Sequence, residues 1–282
     1  MKNLLLLSLV SLIAFSQSFS QAFYSENIKK IWETDAVFKV PESVIYDPVN
    51  DIIYVSNING DPTEEDSNGF ISRLGIDGNI VELEWITGLH APKGMGINAD
   101  TLFVADVNRV VKIDTRLEEI IAIYDADGAT FLNDITIDDQ GRVFISDSGL
   151  GAIFLLKGDK IEVFLPKGTF DRSNGLDWFN NELYVGTKGM IIGVNLENKR
   201  HRDVVEVDGG IDGLEIWKGQ YFVFSDWTGK VQVADLIGNT RVLFNTTSIS
   251  INAADIEVIG KSDLLLVPTF FDNRVMAYQI ME

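Results

Sequence analysis

The chain has 282 residues, 42 acidic against 23 basic, a formal net charge of −19 at neutral pH, and no cysteine. Nucleic-acid phosphates call for Lys and Arg, so this charge balance argues against DNA or RNA as a partner. The missing cysteines exclude a disulfide framework and a cysteine-linked lipid, and the length suits one large all-β domain or two small domains.

Residues 1–22 read as an export signal. Lys2 supplies the positive start, Leu4 to Phe15 is almost wholly apolar, and the small residues Ser18, Ser20 and Ala22 suit cleavage after Ser20 or Ala22. The apolar run is short for a bilayer span and none follows it. The expected product is a soluble, secreted or periplasmic single domain over residues 23–282, monomeric and without a membrane span.

After a strand-like stretch from Ile28 to Val40, six segments repeat one grammar. The first runs ESVIYD from Glu42, then DIIYVSN, then FISRLGI after an acidic loop from Asn59 to Gly69. The second runs KGMGIN from Lys93, DTLFVAD and VVKIDT; the third NDITID from Asn133, GRVFISD and AIFLLK. The fourth is NGLDWF from Asn174, NELYVGT and IIGVNL, the fifth DGLEIW from Asp212, QYFVFSD and VQVADL. The sixth is ADIEVI from Ala254, DLLLVPT and RVMAYQI. Short runs rich in Ile, Val, Phe and Tyr, bounded by Gly, Asp and Asn, are strands.

Successive anchors lie 51, 40, 41, 38 and 42 residues apart, and the one long interval contains the acidic loop. A period near 40 with several strands per unit marks a propeller blade. Blades one to five continue into a fourth apolar run, such as DVVEVD from Asp203, whereas blade six stops at three strands. The stretch from Ile28 to Val40 is expected to complete the last blade and cover its open edge. The fold class is therefore all-β, a six-bladed β-propeller closed by an N-terminal strand.

In a propeller the innermost strands face a central channel, so the anchors form a ring: Glu42, Lys93, Asn133, Asn174, Asp212 and Ala254. Two carboxylates and two amides converging on one axis are costly to leave dry and unpaired. Ca²⁺ takes such oxygens at about 2.3–2.6 Å. With no cysteine and two histidines, zinc or copper is disfavoured. Lys93 offers a competing solution, its ammonium pairing Glu42 or Asp212 in place of a metal. His90 precedes blade two and is expected near the mouth. Trp227, Phe270 and Phe271 fall in loops on the same face, where they either line a pocket or pack between blades. The loop acids Asp61, Glu64, Glu65 and Asp66 are expected to be solvated.

The motifs PESVIYD at Glu42, LNDITID at Asn133, SNGLDW at Asn174 and IDGLEI at Asp212 resemble the ligand motifs of the senescence marker protein/gluconolactonase (regucalcin-like) family. The chain is also similar to diisopropyl fluorophosphatase and, more distantly, to paraoxonases. The resemblance covers nearly the whole mature chain. It implies one Ca²⁺ held by Glu42, Asn133, Asn174 and Asp212, and hydrolysis of a small-molecule lactone or other ester. Asp212 would act as base or nucleophile, with Asp134 a secondary candidate. Phe131 stands where the sugar-lactone members keep an Arg, which removes the expected anchor of a sugar acid. The paraoxonase histidine dyad has no clear counterpart. The alternative is a non-catalytic NHL-like binding propeller, metal-free with Lys93 in the channel.

Overall fold

The computed structural model describes residues 21–281, so all but the last two residues of the expected export signal lie outside the described residues. Six antiparallel sheets form the six blades. Their inner strands are Pro41–Asp47, Pro92–Asn98, Leu132–Ile137, Leu176–Phe179, Leu214–Trp217 and Glu257–Ile259. Each inner strand packs beside the next, and Glu257–Ile259 returns to Pro41–Asp47 to complete the ring. The second strands are almost wholly buried, as in Ile52–Asn57 and Tyr221–Asp226, because both faces are covered by neighbouring blades. That is why they read as continuous apolar runs.

Closure follows the expected route. Ile28–Glu33 pairs antiparallel with Val275–Ile280, from Ile28 opposite Ile280 to Glu33 opposite Met276. The strand ends at Glu33, short of the expected stretch to Val40; Lys39 and Val40 instead donate their amides to the side chains of Asn57 and Asn273. A second closure was not expected. Phe23–Tyr24 adds a fifth strand to blade five, pairing with Thr240–Asn245. The Tyr24 ring lies 5.8 Å from Phe244 of blade five and 6.2 Å from Tyr278 of blade six. The N-terminal segment therefore fastens the last two blades to each other.

Inner strands of neighbouring blades do not share a sheet, so amides on their channel-facing edges need other acceptors. Carboxylates supply them. Asp134 Oδ2 accepts from Leu176 N at 2.5 Å, Asp177 Oδ2 from Ile216 N at 2.7 Å, and Glu257 Oε2 from Tyr46 N at 3.2 Å. Asp255 binds Ser43 Oγ at 2.7 Å. Each bond reaches from one blade to the next.

Gly175 and Gly213 are needed for close approach rather than for a tight turn, since neither has a positive φ. A Cβ on Gly175 would lie 2.6 Å from the Asp212 carbonyl oxygen, and one on Gly213 2.4 Å from Ile256 N. The glycines thus let the starts of adjacent inner strands converge on the axis.

Candidate metal and substrate site

The ring residues sit where the inner strands begin. In blades one to three the pairing register shifts between Pro41 and Val44, Pro92 and Met95, and Leu132 and Ile135. Glu42, Lys93 and Asn133 occupy these bulges, which re-aim side chains. In blades four and five the regular strand starts two residues after Asn174 and Asp212, and backbone bonds from Asn174 N to Gly186 O and Asp212 N to Ser225 O hold the entry.

A serine of the second strand fixes three of these turns. Ser56 Oγ accepts from Ser43 N, Ser146 Oγ from Asp134 N and Ser225 Oγ from Gly213 N, at 2.8–2.9 Å. In each case the donor is the amide immediately after a ring residue. An aspartate ending the second strand pins the preceding loop: Asp106 accepts from His90 N and Ala91 N, and Asp147 from Thr130 N and Phe131 N.

Glu42, Asn133 and Asp212 line a cavity of about 680 Å³ at the channel mouth, and Asn174 lines an adjoining chamber of about 260 Å³ that shares Asp212, Arg172 and Trp227. All four oxygen-bearing ring residues are buried, with exposures between 2% and 8%. Asn174 Nδ2 donates to Asp212 Oδ1 at 2.6 Å, which leaves Asp212 Oδ2 unpartnered. Glu42 Oε2 is likewise unpartnered. The Asn133 side chain makes no hydrogen bond to another described residue. Burial, then the negative charges of Asp212 and Asp255, push the Glu42 carboxyl well above the usual carboxylate range, partly offset by Lys93. Burial pushes Asp212 up to about 6, against the opposing effects of Arg172 and the Asn174 bond. A hard cation fits this set, because its charge removes the cost of ionising both acids and the amides supply oxygens. Among the described residues no three His, Cys, Asp or Glu side chains converge on a metal position.

Lys93 does not take the expected role. It is 1% exposed, yet Nζ donates to the carbonyls of Ala91 and Pro62, each at 2.8 Å, and lies 4.6 Å from the Phe131 ring centre. Among the described residues it forms no ion pair with Glu42 or Asp212. Its stem carries the ammonium up to the acidic loop, whose Pro62 carbonyl folds over it. Burial lowers its pKa to about 8, against the charges of Glu42, Asp106 and Asp61. The base of that loop, Gly60 to Pro62, thus forms part of the rim, while Glu64, Glu65 and Asp66 stay exposed as expected.

Phe131, Trp227, Phe270 and Phe271 line the mouth cavity. Trp227 meets Phe270 and Phe271 edge-on at 5.4 and 5.9 Å, so these rings both line the pocket and pack on one another. His90 is not brought there. Its Nδ1 faces Ser67 Oγ at 3.3 Å in a separate hollow with Glu65 and Arg109. Asp134 is also displaced from the mouth. Its two oxygens accept from Ile135 N and Leu176 N, and it faces a cavity of about 460 Å³ on the side of the channel away from the mouth residues. There it joins Asp177, Glu215, Asp255 and Glu257, a group of acids sequence reasoning did not single out. Arg172 and Lys188, which line the smaller chamber, were missed as well.

Fold and site together define a six-bladed β-propeller with a polar, acid-and-amide ring at one end of its channel. Neither a family model nor a curated protein matches the chain. Solved structures give the likeness in fold. A catalytically inactive virginiamycin B lyase from Staphylococcus aureus with quinupristin is 12% identical, covering 93% of this chain and 100% of that chain at a TM-score of 0.61. A nidogen/laminin complex is 17% identical over 73% of this chain and 83% of that chain, TM-score 0.59. The WD40 β-propeller domain of Doa1 is 13% identical over 84% and 77%, TM-score 0.63. At such identities the likeness concerns the fold alone.

Proposed function

We propose that the protein is an exported, calcium-dependent hydrolase of a lactone or other ester. The observation that carries this reading is the pair of buried, unpartnered oxygens, Glu42 Oε2 and Asp212 Oδ2, beside the Asn133 and Asn174 side chains on the floor of an open cavity. The four ligand-like motifs support it, as does the engagement of Lys93 by two carbonyls, which leaves neither Glu42 nor Asp212 ion-paired to it.

Glu42, Asn133, Asn174 and Asp212 would hold Ca²⁺, which when bound polarises an ester carbonyl as a Lewis acid. Asn174 fixes the Asp212 carboxylate through Oδ1 and leaves the buried Oδ2 without a partner. Asp212 then takes a proton from the attacking water as the water oxygen bonds to the acyl carbon. The acyl carbon–oxygen bond breaks, and the leaving alkoxide receives the proton that Asp212 took, which restores the carboxylate. Trp227, Phe270 and Phe271 offer an apolar wall and exclude water from one side. Phe131, beneath the Lys93 ammonium, makes that side of the pocket aromatic too.

Elemental analysis of the purified protein, with hydrolysis of a panel of lactones and aryl esters with and without chelator, tests the reading. One equivalent of calcium and chelator-sensitive turnover are expected. A calcium-loaded protein that hydrolyses no ester or lactone would instead favour the binding-propeller alternative.

A further inference from the structure

The smaller chamber beside Asp212 carries two exposed cations, Arg172 and Lys188, that form no ion pair with a described residue, Arg172 acting on Asp212 through its charge alone. Arg172 stands two residues before Asn174, on the loop that enters blade four, and it lines both the main cavity and the side chamber. Arg73, Arg109, Arg142 and Arg202 each pair with an acid, whereas Arg172, like Arg200 and Arg241 on the surface, makes no ion pair or side-chain hydrogen bond with another described residue, and of these three only Arg172 lines the chamber. This occurs in a chain with 42 acids for 23 bases.

Lys188 lines the same chamber, again with no side-chain partner among the described residues. Its amide donates to the Asp171 carbonyl at 3.1 Å, so the segments bearing the two cations are tied to each other. The chamber's remaining acid, Asp226, already accepts from Thr228 N and Oγ1 through Oδ1. Across the opening stand Trp227 and, in the main cavity, Phe270 and Phe271. Four carboxylates and three cations line the two chambers together; a bound divalent cation turns that small negative excess positive. The opening therefore suits a molecule with an apolar body and an acidic end.

We propose that Arg172 and Lys188 form an anion-recognition subsite next to Asp212, and that the preferred substrate is an ester or lactone bearing a carboxylate close to its scissile bond. The substrate class rests on the hydrolase reading; the anion subsite does not. Arg172 is the main anchor, because its planar fork matches a carboxylate bidentately. Lys188 adds a point charge.

Two esters with one leaving group separate the possibilities: 4-nitrophenyl butyrate, which is neutral, and mono-4-nitrophenyl glutarate, which carries a terminal carboxylate. With calcium, the wild type should show a KM at least about tenfold lower for the glutarate ester, on the scale of about 1.4 kcal/mol for one good charge-assisted contact. Arg172→Gln should raise that KM by a similar factor, leave the KM for the butyrate ester unmoved whatever change in kcat the two esters share, and be partly restored in Arg172→Lys. Lys188→Gln should do the same more weakly. Binding is read independently of turnover, by calorimetric titration with 4-phenylbutyrate and its neutral amide. Selective binding of the acid that is lost in Arg172→Gln sustains the subsite even if neither ester is hydrolysed, in which case the hydrolase reading alone fails. Equal KM for both esters together with equal binding of acid and amide overturns the subsite. A fall in kcat on both esters in Arg172→Gln, with KM unmoved, would overturn it too by making Arg172 a tuner of Asp212. Melting curves check that each variant is folded.

Discussion

Asn174 Nδ2 binds Asp212 Oδ1 at 2.6 Å, and this bond determines which atoms of both residues face the channel. The amide nitrogen is turned toward Asp212, so the amide oxygen and Asp212 Oδ2 remain. A ligand that binds only the native protein stabilises it by mass action, about 2.7 kcal/mol at a hundredfold excess over Kd. Calcium should therefore raise the Tm and chelator should lower it. Asn174→Ala and Glu42→Ala should abolish this calcium response while unfolding remains cooperative, as read by calorimetry with and without the ion. A wild type that binds no calcium in the same titrations would contradict the site.

Asp212 can be separated from its role as a ligand. Asp212→Asn keeps an oxygen donor but cannot accept a proton from water. At saturating calcium kcat should fall by roughly 10²–10⁴-fold, the usual size of a general-base contribution. Restoration of wild-type kcat by calcium alone would reduce Asp212 to a ligand.

The acids at the far end of the channel predict a pH dependence opposite to that of surface ion pairs. Burial raises Asp134, Glu215 and Asp255 well above the carboxylate range, and holds Asp177 and Glu257 at about 7. Neighbouring carboxylates add to the rise in all but Asp177. A carboxyl whose folded pKa is raised contributes stability that is complete below its unfolded value near 4 and is lost as pH climbs through the folded value. Chelated protein should therefore melt lower at pH 8 than at pH 5. The Glu215 side chain has no hydrogen bond to another described residue, so Glu215→Gln removes a charge without removing a bond. It should raise the Tm at pH 8, by about 2–4 °C per kcal/mol relieved, and do little at pH 5. Asp134→Asn should differ, because both Asp134 oxygens accept from backbone amides.

Closure gives the last prediction. Deleting residues 28–38 removes the strand paired with Val275–Ile280 and uncovers an edge. A markedly lower Tm or aggregation is expected by melting and size-exclusion chromatography. Tyr24→Ala, which removes one ring from the contact with Phe244 and Tyr278, should cost less. An unchanged melting curve and monomeric elution after the deletion would contradict the pairing.

The six blades were legible because a propeller repeats its strands at a near-constant period, and the ring was legible because topology places equivalent positions on one axis. The destination of the Lys93 ammonium was not, since it depends on a Pro62 carbonyl 31 residues away in a loop outside the repeat. Arg172 lies on the exposed loop that enters blade four and Lys188 at the start of a strand of that blade, and they meet only through the backbone bond from Lys188 N to Asp171 O. Phe23–Tyr24 is too short to give a strand pattern. The acid group did leave a signal: Asp177, Glu215 and Glu257 each fall three residues past a ring position on the inner strand. Attention to the first residue of each motif hid it.

The double closure also orders events in time. Phe23–Tyr24 and Ile28–Glu33 leave the ribosome early, but their partners, Thr240–Asn245 and Val275–Ile280, follow only after most of the chain is made. The amide of Met281 reaches the carbonyl of Asn27, and these residues are 254 positions apart. Non-local pairing of this kind is slow, because the loop must be closed before its contacts reward it. Until then five blades can stack while the first and last remain unjoined, with unpaired strand edges open to other chains. The nascent protein therefore has a vulnerable interval whose length is set by translation and ring closure together.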